Sequence, residues 1–100
     1  MNRTLRNLRA AREEFAAAVR WYEQQSVGLG AEFFDAIEAT TAQLEEYPEI
    51  GIPASRDLLT RRLLVSRFPY QIVYRLTPSE IVIIAVAHVK RRPDYWKDRE

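Results

Sequence analysis

The run Glu80–Val89 (EIVIIAVAHV) limits what this chain can fold into more than any other stretch. It is β-branched and nearly continuous in apolar residues, which marks the central strand of a sheet rather than a solvated one. Two further runs supply neighbours. Tyr70–Leu76 alternates, with Tyr70, Ile72, Tyr74 and Leu76 on one face and Gln71, Val73 and Arg75 on the other. Arg61–Phe68 (RRLLVSRF) precedes it. The junctions, Pro69 and Thr77-Pro78-Ser79, are short, so the three runs are expected to form an antiparallel meander. Arg3–Leu8 offers a short edge strand whose alternation is poor.

The first half of the chain reads differently. Over residues 10–26, Ala11, Phe15, Ala18, Val19 and Tyr22 recur at three- and four-residue spacing and form one apolar helical stripe, with Asn7 as the expected N-cap. Trp21 and Tyr22 read as core or hairpin contacts. Gly28 and Gly30 end the pattern, and residues 29–47 form a second helix with Phe33, Phe34, Ile37, Thr41, Leu44 and Tyr47 on one side. Pro48 stops it, and Gly51 and Pro53 mark a loop. The short Ser26–Gly30 connection makes the two helices an antiparallel hairpin. The expected class is α+β: an N-terminal helical hairpin packed on one face of a three- or four-stranded antiparallel sheet. Too few elements remain to cover the opposite face, so a bare, arginine-ringed docking surface is expected there.

With 100 residues, 47% hydrophobic and 29% charged, the chain has the balance of one small globular domain spanning 1–100. The absence of cysteine excludes disulfides, thiolate zinc sites and cysteine nucleophiles; with one histidine, a protein-only metal site needs carboxylates, and neither metal nor cofactor is expected. No apolar run reaches the ~18 residues of a membrane span. The N-terminal arginines are followed by no apolar core, so no secretory leader is read, and a cytoplasmic location is expected. The net charge of +1 hides an asymmetry: residues 1–12 carry four arginines and no acid, residues 13–55 carry one arginine against nine acids, and residues 56–100 carry ten cations against five acids. An acidic middle between basic ends suits a polyanion or an acidic protein on one face.

Four segments share an order and spacing with a known family. WYEQQSVGLGAEF (21–33), PEIG (48–51), RRLLVSRFPYQIVYR (61–75) and IVIIAVAHVKRRPDYW (81–96) together resemble the RelE/ParE superfamily of bacterial toxins, over about residues 9–99. The resemblance implies a βααβββ order and a type II toxin–antitoxin system, whose cognate antitoxin wraps and silences the toxin in a hetero-oligomer. MNRTLRNL is a weak version of the family's first strand, with Arg9 where relatives often carry proline. RelE-like members cut mRNA on the ribosome; ParE-like members inhibit DNA gyrase without being nucleases. AVAHVKRRPDYW looks closer to the ParE-like, plasmid-stabilisation branch.

Metal-free RNA cleavage needs a base, an acid and cations around the phosphorane. His88, read on the same strand parity as Val82, Ile84 and Val86, and Tyr95 are the proton carriers a nuclease would use here. Arg62, Arg75, Arg91, Arg92 and Trp96 form a candidate target- or anion-binding set. RelE-like nucleases usually carry lysines on the strands, whereas Lys90 and Lys97 both follow the last strand here, and arginine cannot donate a proton at ordinary pH. Three readings therefore stand: a gyrase inhibitor of ParE type, which the thin catalytic set favours; an mRNA endonuclease; and a decayed toxin that only binds its antitoxin.

Overall fold

The computed structural model describes residues 3–56 and 58–100. A short strand β1 (Thr4–Asn7) leads into helices α1 (Arg9–Gln25) and α2 (Leu29–Glu46), followed by β2 (Ile52–Pro53), β3 (Thr60–Leu64), β4 (Tyr70–Leu76) and β5 (Glu80–His88). The sheet order is β1-β5-β4-β3-β2. The α+β class, the helical hairpin and the β3–β4–β5 meander agree with the sequence reading. The sheet itself differs. It has five strands and is mixed, because β1 runs parallel to β5, pairing Thr4 with Glu80 and Asn7 with Ile83. The two-residue β2 adds the fifth strand on the far edge of β3. A dipeptide containing proline carries no alternation to read, which is why β2 was invisible in the sequence. β4 is the middle strand, and β5 lies between it and β1.

An aromatic cluster joins the hairpin to the sheet. Phe33 of α2 is fully buried and meets the Tyr70 ring at 4.9 Å and the Phe68 ring at 5.1 Å, edge to face in both cases. Tyr22 of α1 stacks on Phe33 at 5.0 Å. Such tilted contacts add directional preference to the large apolar area that rings bury. Trp21 is edge-on to Tyr22 but 54% exposed, so of the expected aromatic pair only Tyr22 is core. The N-cap of α1 is Leu8, without a side-chain cap; Asn7 ends β1 instead. Gly28 takes φ +90° at the helix junction, where the Glu23 carboxylate accepts the N–H groups of Gly28 and Gly30. An α1 side chain thereby satisfies donors that α2's own first turn leaves open.

The PEIG loop is held from below by one phenol. The buried Tyr74 hydroxyl donates to the Pro48 carbonyl at 2.7 Å and accepts the Gly51 N–H at 2.9 Å. A Cβ at Gly51 would lie 2.6 Å from that hydroxyl and 2.8 Å from the Arg62 carbonyl, so glycine is required there. Arg61 reinforces the loop by donating to the Glu49 and Gly51 carbonyls.

Tyr74→Phe strands the buried Gly51 N–H. It is expected to lower unfolding free energy by about 1–3 kcal/mol with little change in denaturant slope, as urea titration would measure.

Candidate functional site: the tail face of the sheet

The expected bare sheet face is not bare. The segment after β5 folds back across it, and Trp96, 7% exposed, packs with Val73, Val82, Ile84, Ala85 and Ala87, all buried. Residues 90–100 look polar and irregular, and Tyr95 and Trp96 read as packing anchors for the tail because large aromatics contribute mostly by burial, but the segment does not read as the cover of a sheet face. Four side chains of that segment nevertheless bind the body: Trp96 by burial, Glu100 by its ion pair with Arg6, and Tyr95 and Arg99 by hydrogen bonds.

Those bonds converge on Glu14 of α1. Arg99 makes a two-armed contact with it, Nη1 donating to Oε1 at 2.9 Å and Nη2 to Oε2 at 3.0 Å. The Tyr95 hydroxyl donates to Oε2 at 2.7 Å, and the Val86 N–H donates to Oε1 at 3.0 Å. Arg99 Nη1 also donates to the Ile84 carbonyl at 3.1 Å. Two of these partners are backbone groups of β5 just past the end of β1, where Leu8 N–H takes the Ile83 carbonyl as the last bond along that edge. Glu14 and Arg99 thus satisfy strand groups that β1 is too short to reach.

The same region holds a β-bulge. Val73 of β4 pairs with Ala85 and Tyr74 with Ile83, leaving Ile84 as the extra residue. An extra residue reverses the side-chain alternation beyond it. His88 therefore shares its face with Val86 and Ile83 on the hairpin side, not with Val82 and Ile84 as strict alternation predicted. Its ring stands edge-on to Tyr70 at 5.3 Å, and Nδ1 accepts the Lys90 N–H at 3.1 Å. A ring nitrogen that accepts an N–H carries no proton of its own, so in this geometry any ring proton sits on Nε2.

The candidate cations separate into groups. Arg62 on β3 and Arg91 in the tail line one hollow of about 260 Å³ with Gln71, Asp94 and Trp96. Arg62 Nη1 donates to Gln71 at 3.3 Å, and the Arg91 guanidinium lies 4.0 Å above the Tyr95 ring, a cation–π contact. Arg75 is half-buried elsewhere on the same face, its Nη1 donating to the backbone oxygen of Glu100 and its Nε without a partner among the described residues. Arg92 is exposed and lies outside the hollow's lining. Several other arginines are committed to carboxylates: Arg67 to Glu32, Arg6 to Glu80 and Glu100, and Arg99 to Glu14. The structure thus brings Arg62, Arg91 and Trp96 together and leaves Arg75, Arg92 and His88 apart from them.

Glu14 was missed by sequence reasoning, although a signal for it existed. It stands three residues after Ala11 and four before Ala18, inside the apolar stripe of α1. A carboxylate on a buried stripe must find partners, because an unpaired buried charge is costly.

The family described as "ParE toxin of type II toxin-antitoxin system, parDE" matches residues 5–93. The chain belongs to this ParE toxin family. The solved "Chromosomal ParDE TA system from P. aeruginosa" contains a chain with the same fold, at TM-score 0.63 and 18% identity, over 86% of this chain and 95% of that one. No curated protein matches by sequence. In this ParE-family chain the family match runs from within β1 through the first residues of the tail.

Burial and the bond to Glu14 hold the Tyr95 phenol well above its usual value of 10.0. The unfolded chain therefore releases this proton at lower pH than the folded one. The associated stability is whole below pH 10.0 and is lost as pH rises through the folded value. Burial raises Tyr22, Tyr70 and Tyr74 in the same direction. Tyr95→Phe is expected to flatten the alkaline loss of stability in part, and to remove one late-ionising phenol from an ultraviolet titration.

Proposed function

We propose that this ParE-family toxin inhibits growth by binding DNA gyrase, in the cytoplasm, and that a cognate antitoxin encoded beside it neutralises it in a hetero-oligomer. The supporting observation is how the polar groups are used. Of the two candidate proton carriers, the Tyr95 hydroxyl is held by Glu14 with its ionisation opposed by burial, and His88, whose Nδ1 accepts the Lys90 N–H, stands apart from the paired arginines. Arg62 and Arg91 are presented outward, since both are exposed, and they share a hollow with the buried Trp96. That arrangement favours holding an anionic group over breaking a phosphodiester. The hollow is the contact for a carboxylate or phosphate of the target, with Arg62 and Arg91 as ligands, Arg92 as a peripheral charge and Trp96 as the floor; Arg75 supports the tail. No metal or cofactor has a part in this reading.

The antitoxin is expected on apolar surface that the fold leaves open. Ile50, Ile52, Leu58, Leu59 and Leu64 are all exposed around β2 and β3, where β2 pairs with Arg61 and Arg62, the Ala54 N–H donates to the Thr60 carbonyl, and the ladder ends before Leu63 and Leu64. An amphipathic helix or an added strand suits such an edge, with acidic residues toward the basic ends of the chain. Raising salt should weaken the charged rim of the complex while the apolar contacts persist, which titration calorimetry at two ionic strengths would resolve.

A supercoiling assay decides the target. The purified chain should inhibit gyrase, and Arg62→Glu or Arg91→Glu should each weaken inhibition about tenfold or more, since each removes a charged hydrogen-bonding group. Full gyrase activity at saturating toxin overturns the proposal. Cleavage of ribosome-bound message that disappears in His88→Ala would move the assignment to the nuclease reading, and normal growth on induction without antitoxin would move it to the decayed one.

A further inference from the structure

Glu14 lies outside the hollow, yet its carboxylate ties together three parts of the molecule. It extends from α1, accepts the backbone N–H of Val86 beside the bulge, and receives the Tyr95 hydroxyl and both arms of Arg99 from the tail. Its side chain is 17% exposed and that of Arg99 23%, so water competes weakly for these bonds. Tyr95 in turn carries Arg91 on its ring face at 4.0 Å, and Trp96, the next residue, forms the floor of the hollow. A chain of contacts therefore runs from Glu14 through Tyr95 to Arg91, while Arg62 is set independently by β3.

We propose that Glu14 is the positioning residue of the Arg62–Arg91 hollow: by joining α1, the β5 bulge and the tail at one carboxylate, it fixes where Arg91 stands relative to Arg62. The consequence for inhibition rests on the hollow being the target contact, whereas the placement of the tail does not. The tail has little regular structure to hold it. Its turns are closed by single backbone bonds, such as Lys97 N–H to the Asp94 carbonyl and Arg99 N–H to the Trp96 carbonyl, and Asp94 takes φ 62°. Segments of this kind open locally unless side chains fasten them. Besides Trp96, the fastenings are the Glu14 network and Glu100, which reaches Arg6 and Arg75 at the far end of the same face. The Glu14 contact is also directional. Glu14 must accept from Val86 and Arg99 must donate to Ile84, so exchanging the two charges cannot rebuild it.

The test uses the full chain carrying Trp21→Phe, so that Trp96 is the sole tryptophan reporter. Glu14→Gln should raise acrylamide quenching of Trp96 and speed hydrogen exchange across Tyr95–Arg99 about tenfold, with β4 amides unchanged. Tyr95→Phe, which removes one bond and keeps the ring, should do the same to a smaller degree and serves if Glu14→Gln does not fold. The exchanged pair Glu14→Arg with Arg99→Glu should not restore tail protection. Unchanged tail exchange in Glu14→Gln, equal acceleration in β4, or full restoration by the exchanged pair overturns the proposal. Gyrase inhibition should fall with tail protection across the variants; a loosened tail with undiminished inhibition overturns the positioning role if Arg62→Glu weakens inhibition, and sinks the hollow as the target contact if Arg62→Glu does not. A wild-type chain that never inhibits gyrase, with a tail that still responds to Glu14→Gln, sinks the target assignment and leaves the tail placement supported.

Discussion

Strand β5 is apolar on both sides, and both sides must be kept from water. Ile81, Ile83 and Val86 face the hairpin, while Val82, Ile84, Ala85 and Ala87 face away from it, and all seven are buried. Transfer of apolar side chains out of water contributes about 1.5–3 kcal/mol each for the larger ones, so a strand of this composition cannot leave one face solvated. The helical hairpin covers the first face. Leu8 and Ala54 cover the margins of the second, and the segment C-terminal to β5 supplies its one large buried side chain, Trp96, so that requirement folds the tail back across the sheet.

Much else in the molecule depends on this return. Covering the second face with a short irregular segment leaves few backbone bonds to hold it, so the tail is fastened by side chains. Trp96 supplies apolar area, Arg99 and Tyr95 supply directed bonds, and Glu14 receives them. The bulge at Ile84 belongs to the same arrangement, since Arg99 and Glu14 satisfy the backbone groups it presents beyond β1. The proposed target surface is a by-product of the cover. Where the tail meets β3 and β4, Arg62 and Arg91 line one hollow together with Trp96 and Asp94.

The two ends of the sheet behave differently because their edges do. β1 is followed at once by α1, which brings Glu14 to the strand groups that β1 leaves unmet. At the other edge β2 stops after two residues, and exposed apolar side chains surround the remainder of β3. An edge of that kind invites pairing with another chain. The proposed partner assignments divide along this line, with the antitoxin on the open edge and the target at the tail hollow.

Local pattern was enough for the helices, for β4 and β5, for the hairpin and for family membership, because periodicity of 3.6 or 2 and the order of four short motifs are carried by neighbouring residues. It also grouped Arg62, Arg75, Arg91, Arg92 and Trp96 as one candidate set, but could not show that of these Arg62, Arg91 and Trp96 line one hollow while Arg75 and Arg92 lie outside it. The fifth strand, the parallel pairing of β1, the reversal that turns His88 toward the hairpin and the covered second face depend on residues far apart in the chain. One extra residue at Ile84 changes which face every later side chain of β5 occupies, and nothing in EIVIIAVAHV marks it. Glu14 and Arg99 lie 85 positions apart and belong to segments that look unrelated. Only the closed fold, by bringing an acid on a buried stripe to an open strand edge and a returning tail, makes them partners.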